Sequence, residues 1–253
     1  MDINAIKSRL NQLQNTSTTA SVIWKPQPGK TQIRIVPYTH NKDNPFTELF
    51  FHYSLVPNKT VLSPQSFGRP DPVQQFADKL KSSGDKDEWI QGKRIEPKMR
   101  TFAPVIVRGE ENEGVKFWGF GKTVYQELLG IIADPDYGDI SDPMTGRDIV
   151  VERQTPAEAG NQYGKTTIRV KPNQTELADD AKMQKELLET QPNYAELYTE
   201  PTYDELKEHL QNFLNPSAAE EKKEESQPTK EMVSTTEASN TKVEDDFDKL
   251  FNS

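Results

Sequence analysis

The chain has 253 residues, enough for one or two domains, and it lacks cysteine, which excludes disulfides, thiol catalysis and cysteine-based zinc sites. Hydrophobic residues make up 33% and charged residues 28%, so part of the chain is expected to lie outside any packed core. The apolar runs are too short to span a bilayer and no signal peptide opens the chain. We therefore expect a soluble, intracellular protein.

The net charge of −9 is unevenly distributed along the chain. Residues 20–175 carry 21 Lys or Arg against 19 Asp or Glu, whereas residues 176–253 hold the acidic excess. This asymmetry predicts a body able to bind a polyanion, followed by an acidic C-terminal segment.

Residues 1–19 contain one narrow apolar stripe at helical spacing. An isolated helix of this length is marginal in water, so it needs a partner. Two interpretations stay open: the segment docks on its own domain, or it is an arm that binds a neighbouring subunit. The candidate self-association residues are Ile3, Ile6, Lys7, Arg9, Leu10 and Leu13.

From Ala20 onward the pattern is mainly that of short strands. The candidate strands before the centre of the chain are Ser21–Lys25, Thr31–Tyr38 and Phe46–Val56. A proline-rich loop follows, and the spacing of Val73, Phe76 and Leu80 predicts a short helix.

The stretch from Lys93 to Lys122 predicts a two-stranded ribbon whose side chains alternate between two faces. Met99, Ala103, Val105 and Val107 are expected behind it. In front we expect cations with interleaved rings, the combination that binds the phosphates and unstacked bases of a single-stranded nucleic acid. For any one strand, the alternative is an ordinary solvated face with some aromatic core.

Later segments extend this pattern. A buried helix is predicted over Lys122–Ala133, a strand over Arg147–Arg153, and a further basic strand over Lys165–Lys171. Thr202 and Glu205 form a capping box that opens a structural helix. Beyond Pro216 the composition predicts disorder. The acidic tip with its apolar residues is typical of a docking peptide, composed of Asp245, Asp246, Phe247, Asp248, Leu250 and Phe251.

Together these elements predict an α+β protein: a mainly β OB-fold core at residues 20–215, with a small helical part, between the N-terminal segment and the acidic tail of residues 216–253. Lys and Arg would hold phosphates, and rings would stack on bases. The candidate DNA-binding residues are Arg34, Tyr38, Lys93, Arg94, Lys98, Arg100, Phe102, Lys116, Trp118, Phe120, Lys122, Tyr163, Lys165, Arg169 and Lys171.

Two other functions fit parts of the sequence. Asp71, Glu96 and Lys98 match the loose pattern of metal-dependent nucleases, although Pro97 would interrupt the strand that presents the acid. An RNA-binding regulator could use the same basic surface. The histidines show no zinc or catalytic-triad spacing, and no P-loop or dinucleotide motif is present, so we expect no cofactor, no metal and no catalytic residue.

In order, these features resemble the helix-destabilising single-stranded DNA-binding proteins of T-even-type bacteriophages. The resemblance is carried by Gln32-Ile33-Arg34-Ile35-Val36-Pro37 with Asn44-Pro45-Phe46, by Lys98-Met99-Arg100-Thr101-Phe102 through Glu111-Asn112-Glu113-Gly114 to Phe120-Gly121-Lys122, and by Tyr203-Asp204-Glu205-Leu206.

The resemblance implies non-specific, cooperative coating of single-stranded DNA in replication, recombination and repair, in the cytoplasm of an infected bacterium. It also implies an arm that contacts the next copy of the protein, to which Lys7 and Arg9 would belong. The acidic tail would compete for the basic cleft and recruit replication and recombination proteins. No membrane partner is expected.

One departure concerns zinc, which well-known family members bind through one histidine and three cysteines. His52 stands in the histidine's place, and Asp71-Pro72-Val73-Gln74 replaces a Cys-Pro-Val-Cys. The resemblance implies that residues at about 62–89 form the cysteine-free counterpart of the zinc subdomain. We therefore expect this small helical subdomain to be held by packing of Phe67, Val73, Phe76, Leu80 and Trp89 instead.

Overall fold

The computed structural model describes residues 22–215 and, near the C-terminus, Val243, Phe247, Leu250 and Phe251. The predicted self-association arm lies outside the described residues. The chain divides into two compact units. Unit 1 comprises Met1–Glu48 and Met99–Tyr198, and unit 2 comprises Leu49–Lys98 and Thr199–Ser253.

Eight strands and six α-helices form in the described part of the chain, which confirms the predicted α+β class. The strands are β1 (Ile23–Trp24), β2 (Gly29–Ile35), β3 (Thr47–Val56), β4 (Lys59–Leu62), β5 (Lys98–Val107), β6 (Lys116–Phe120), β7 (Arg147–Gln154) and β8 (Lys165–Gln174). The helices are α1 (Pro72–Ser82), α2 (Lys86–Ile95), α3 (Lys122–Ile132), α4 (Pro156–Ala159), α5 (Ala181–Glu189) and α6 (Tyr203–Leu214).

Unit 1 is the β-rich core, with strand order β1-β6-β5-β2-β7-β8. The β1–β6 pair is parallel, and the other pairs along this path are antiparallel. One face packs Ile33, Val105 and Ile149 against Leu128 of α3. The opposite face of the same strands packs Ile106 near Leu187 of α5 and is also covered. Because both faces are covered, the end of β5 is a continuous apolar run, Phe102-Ala103-Pro104-Val105-Ile106-Val107.

Unit 2 is built on the antiparallel hairpin β3–β4 with α1, α2 and α6. Its core joins Leu55 and Val61 to Phe76, Leu80 and Leu210, together with neighbouring apolar side chains. The predicted capping box of Thr202 and Glu205 is confirmed at the start of α6. No helix in the described ranges is long and apolar enough to cross a membrane.

Two predictions about this unit are wrong. Phe67 and Trp89 were expected in the packed core, but their side chains are 41% and 46% exposed. Lys93 and Arg94 were expected in the ribbon, but they lie in the last turn of α2. Helix α2 ends at Ile95, just before Pro97, and the strand begins only at Lys98.

The four described C-terminal residues also differ from the expectation of disorder. Val243, Phe247, Leu250 and Phe251 are helical, and Val243 and Phe247 are buried in the core of unit 2. The short apolar spacing explains this, because residues four positions apart share one face of a helix.

A buried polar centre ties three elements of unit 2 together. His52 on β3 bonds through Nε2 to Asp71 Oδ2 at 2.8 Å and through Nδ1 to the carbonyl of Ile95 at 3.0 Å. Ser63 Oγ donates to the same carboxylate oxygen. The other oxygen, Oδ1, accepts the backbone N–H groups of Val73 and Gln74 and so caps α1. One carboxylate therefore satisfies donors from the hairpin, the following loop and the helix.

Replacing Asp71 by Asn should lower the free energy of unfolding by about 1–3 kcal/mol, because the buried groups His52 Nε2 and Ser63 Oγ lose the carboxylate oxygen to which they bond. Burial alone would raise the pKa of Asp71, but the bonds from His52, Ser63 and Gln74 hold it below its ordinary value of 3.8. The destabilisation should therefore be complete above about pH 4 and shrink as the pH falls through the lowered pKa. Urea unfolding of both proteins between pH 3 and 7 measures this difference.

The control is Asp43→Asn, which removes an exposed carboxylate and should change little at any pH. Equal stabilities of wild type and Asp71→Asn at pH 7 would contradict the structural role of this centre.

Candidate nucleic-acid interface

The register between β5 and β6 decides which ribbon side chains share a face. Phe102 pairs with Gly119, and Ala103 pairs with Trp118. Opposite partners in an antiparallel pair point to the same side, so Trp118 lies with Ala103 on the core face and Phe102 lies on the other. The expectation that Trp118 and Phe120 stand in front beside Phe102 is therefore wrong.

Trp118 and Phe120 belong to the hydrophobic core of unit 1. Trp118 is 1% exposed, and its ring lies 4.6 Å from that of Phe120 and edge-on to Trp24 at 5.9 Å. A buried ring offers no face for a base to stack on, so neither residue forms the predicted platform.

Phe102 and Tyr38 are also buried, on the opposite face of the ribbon. The ring of Phe102 lies over Gly119 and 4.2 Å from the ring of Tyr194. Tyr38 accepts the backbone N–H of Tyr194 through its hydroxyl at 2.8 Å. The turn at Tyr194–Leu197 thus covers the face that was predicted to be open.

Arg34, predicted to contact phosphate, has no exposed surface. Its Nη1 lies 3.4 Å from Asp148 Oδ1, and its Nη2 donates to the carbonyls of Asp142 and Thr175 at 2.9 and 2.7 Å. Asp148 also accepts from Arg108 at 2.8 Å. Burial lowers the pKa of Arg34, and the charge of Asp148 acts against that shift. This arginine joins strands and loops and cannot reach a ligand.

Of the cations predicted to bind DNA, those that are exposed in unit 1 lie at two places. At one end of the ribbon, Arg100 near the start of β5 and Lys122 just past the end of β6 are both exposed. Arg100 Nη2 donates to the carbonyl of Gly119 at 2.7 Å, which fixes its direction along the ribbon. Lys116 is less available, because Glu113 pairs with its ammonium.

The second place is the β7–β8 hairpin. Tyr163, in the turn, is 76% exposed, and its carbonyl accepts Arg153 Nη2 at 2.7 Å. Lys165 and Arg169 are exposed on β8, and Lys171 is half-buried. A solvated, charged edge strand is the ordinary alternative for such residues. Solvation of charge on an edge strand does not account for the exposed ring of Tyr163 in the adjoining turn.

In unit 2, three lysines converge on one carboxylate. Lys81, Lys93 and Lys98 lie 2.9, 3.0 and 2.7 Å from the carboxylate oxygens of Glu96. Partial burial of Glu96 works against its ionisation, but the three ammonium groups lower its pKa to about 2. Lys81 also pairs with Asp78 at 2.7 Å, so two negative charges face three positive charges and the cluster keeps an excess of one positive charge at neutral pH.

Two exposed aromatic–cation pairs in unit 2 were not predicted from the sequence. Lys93 Nζ lies 5.7 Å from the ring centroid of Trp89, and the guanidinium of Arg69 lies 5.1 Å from that of Phe67. Their signal was present in the sequence as a ring near a cation at helical or turn spacing. It was missed because both rings were assigned to the core. Arg94, by contrast, lies over Phe213 at 5.6 Å.

The nuclease alternative finds no support in these contacts. Both oxygens of Asp71 are occupied by structural donors, and Glu96 is held by lysines. Within the described part of the chain no group of three or more His, Asp or Glu residues could hold a metal ion.

Each unit thus presents exposed cations beside exposed rings on an α+β scaffold, which is the surface chemistry of a protein that binds single-stranded nucleic acid. A family model described as gp32 DNA binding protein like matches residues 27–216. The chain belongs to this family, which supports binding to single-stranded DNA and confirms the resemblance noted in the sequence. No curated protein matches the chain significantly.

The zinc that the resemblance implies does not fit these residues. His52 Nε2 is engaged by Asp71, and neither cysteine nor a third ligand-type side chain joins them among the described residues. Tetrahedral zinc requires three or four protein ligands.

Replacing Trp118 by Ala should destabilise the protein by about 3–5 kcal/mol, because it leaves a large cavity in the core of unit 1. Trp89→Ala is the matched control and should cost less than about 1 kcal/mol, since its ring is half exposed. Chemical unfolding measures both. Comparable costs for the two variants would contradict the assignment of Trp118 to the core.

Proposed function

We propose that the chain coats single-stranded DNA without sequence preference, in DNA replication, recombination and repair of a bacteriophage inside its bacterial host. The family match supports DNA binding, and the exposed residues support its non-specific character. Lys and Arg neutralise phosphates whatever the base, and a ring stacks on any base.

The observation that carries the proposal is the exposure of Tyr163 next to the basic strand β8 in unit 1 and of Trp89 next to Lys93 in unit 2. An exposed ring beside a cation offers a single strand both a stacking face for a base and a contact for a phosphate, which supports the proposal. Arg100, Lys122, Lys165 and Arg169 contribute phosphate contacts in this proposal.

Cooperative coating requires contact between neighbouring copies, and we assign it to residues 1–19 with their apolar stripe and Lys7 and Arg9. The acidic C-terminal segment competes with DNA for the cations and recruits replication and recombination proteins. A protein with a net charge of −9 binds a polyanion in this way because its exposed cations are concentrated locally.

The experiment that tests the proposal is a titration of fluorescent poly-dT, poly-U and duplex DNA at two salt concentrations. We expect tight, salt-sensitive binding of poly-dT with little affinity for duplex. Equal affinity for duplex would overturn it, and a clear preference for poly-U would show an RNA-binding protein instead. Incubating single-stranded DNA with the protein and magnesium tests for cleavage directly.

Tyr163→Ala should weaken binding of poly-dT by about 1–3 kcal/mol while leaving the salt dependence unchanged, because it removes a stacking surface and no charge. Arg169→Gln should instead reduce the slope of log K against log salt by about 0.7, the value for one phosphate contact on a single strand. Equilibrium titrations over a series of salt concentrations distinguish the two effects.

Lys185→Gln is the matched charge control. Lys185 is exposed on α5 and pairs loosely with Glu189 at 3.9 Å. Its replacement should leave the slope unchanged. If Lys185→Gln and Arg169→Gln reduce the slope equally, β8 has no special role in binding.

A further inference from the structure

The C-terminal segment places three apolar residues at four-residue intervals, Val243, Phe247 and Phe251. All three are helical, so they share one face. Val243 and Phe247 are each 3% exposed, whereas Leu250, off this face, is 39% exposed. The segment therefore buries one defined helical face. Non-specific hydrophobic contact would bury Leu250 as well.

The buried side lies against α1 and α6 of unit 2. Phe247 meets the ring of Phe76 edge-on at 5.9 Å, and the same cluster includes Leu80 of α1 and Leu206 and Leu210 of α6. Helices α1 and α6 are themselves linked where the hydroxyl of Tyr203 donates to Gln75 Oε1 at 3.0 Å. Two packed helices thus form an apolar groove of the kind that accepts an amphipathic helix.

Polar contacts close the end of the groove. Lys207 on α6 donates from Nζ to the backbone carbonyl of Phe251 at 3.0 Å, and the same ammonium lies 5.5 Å from the centroid of that ring. Phe251 also meets Phe247 at 5.0 Å and Tyr203 at 6.5 Å. The ammonium of Lys207 therefore adds a hydrogen bond and a cation–ring contact to the apolar packing of this segment.

We propose that α1 and α6 form a docking groove whose occupant is the chain's own C-terminal segment, and that docking there masks Phe247 and Phe251 from protein partners. The masking of partners rests on the proposed function, while the docking does not. In the docked state the two rings are unavailable, so a partner that recognises them binds only the released fraction and with correspondingly lower apparent affinity.

The chain's own segment is the favoured occupant because it is tethered to α6 through residues 216–242. A tether makes docking intramolecular, and the entropy of closing a loop rises only slowly with its length. A peptide from another molecule would have to overcome this effective concentration.

The test uses the full-length protein without DNA and compares Phe247→Ser with Leu250→Ser. Hydrogen exchange followed by mass spectrometry should show faster exchange in α1, α6 and the C-terminal segment for Phe247→Ser, by roughly tenfold or more. Leu250→Ser should exchange like the wild type, because its side chain is outside the groove. Unchanged exchange in Phe247→Ser would overturn the proposal.

A labelled peptide of residues 240–253 probes the groove directly. It should bind full-length Phe247→Ser, whose own segment is released, at least about tenfold more tightly than wild type. Equal binding to both would contradict occupancy by the chain's own segment. Exchange protection that rises with protein concentration would show that a second copy is the occupant. A separate titration of both variants with poly-dT measures DNA binding. Its result tests the proposed function independently of the docking of the C-terminal segment.

Discussion

The register of β5 against β6 is the constraint on which the rest of unit 1 depends. Side chains alternate along a strand, so a shift by one residue would exchange the two faces of the ribbon. The ring of Phe102 can lie over its partner residue only because that residue is Gly119, which has no Cβ. A Cβ at this position would lie 2.6 Å from Cε1 of Phe102 and clash with the ring. Glycine at this position lets the ring lie flat on the strand. The same pairing turns Trp118 inward, where it fills the core.

This register separates rings that hold the fold together from rings that can meet a ligand. The strand rings are covered on one side by α3 and on the other by the turn containing Tyr194. Two of the exposed rings, Tyr163 and Trp89, lie on a hairpin turn and on a short helix. Binding residues concentrate on loops and element ends because a rigid, fully covered sheet positions them without being exposed itself.

Local pattern predicted much of the secondary structure. The strands around Ile33, Val105 and Ile149, the helix from Lys122 and the capping box at Thr202 all follow from periodicity and end signals. The exposed basic residues of β8 were also predicted from alternation.

Alternation shows which side chains share a face, but it does not show what covers that face. Arg34 and Phe102 are covered by partners more than 70 residues away in sequence, Asp148 and Tyr194, so their burial could not be read locally. Helix α2 was missed because its outward side carries Trp89, which obscures the amphipathic pattern.

Unit 2 shows how a subdomain can be held together when the residues for zinc are missing. The carboxylate of Asp71 gathers donors from His52, Ser63 and the start of α1, which fixes geometry but adds little apolar burial. Small units bury a low fraction of their surface and need an additional source of stability. Val243 and Phe247 join the cluster of Phe76 and Leu210, so the C-terminal segment enlarges the core that the hairpin and helices begin. Releasing the segment to a partner would therefore weaken unit 2, which links partner binding to the stability of this subdomain.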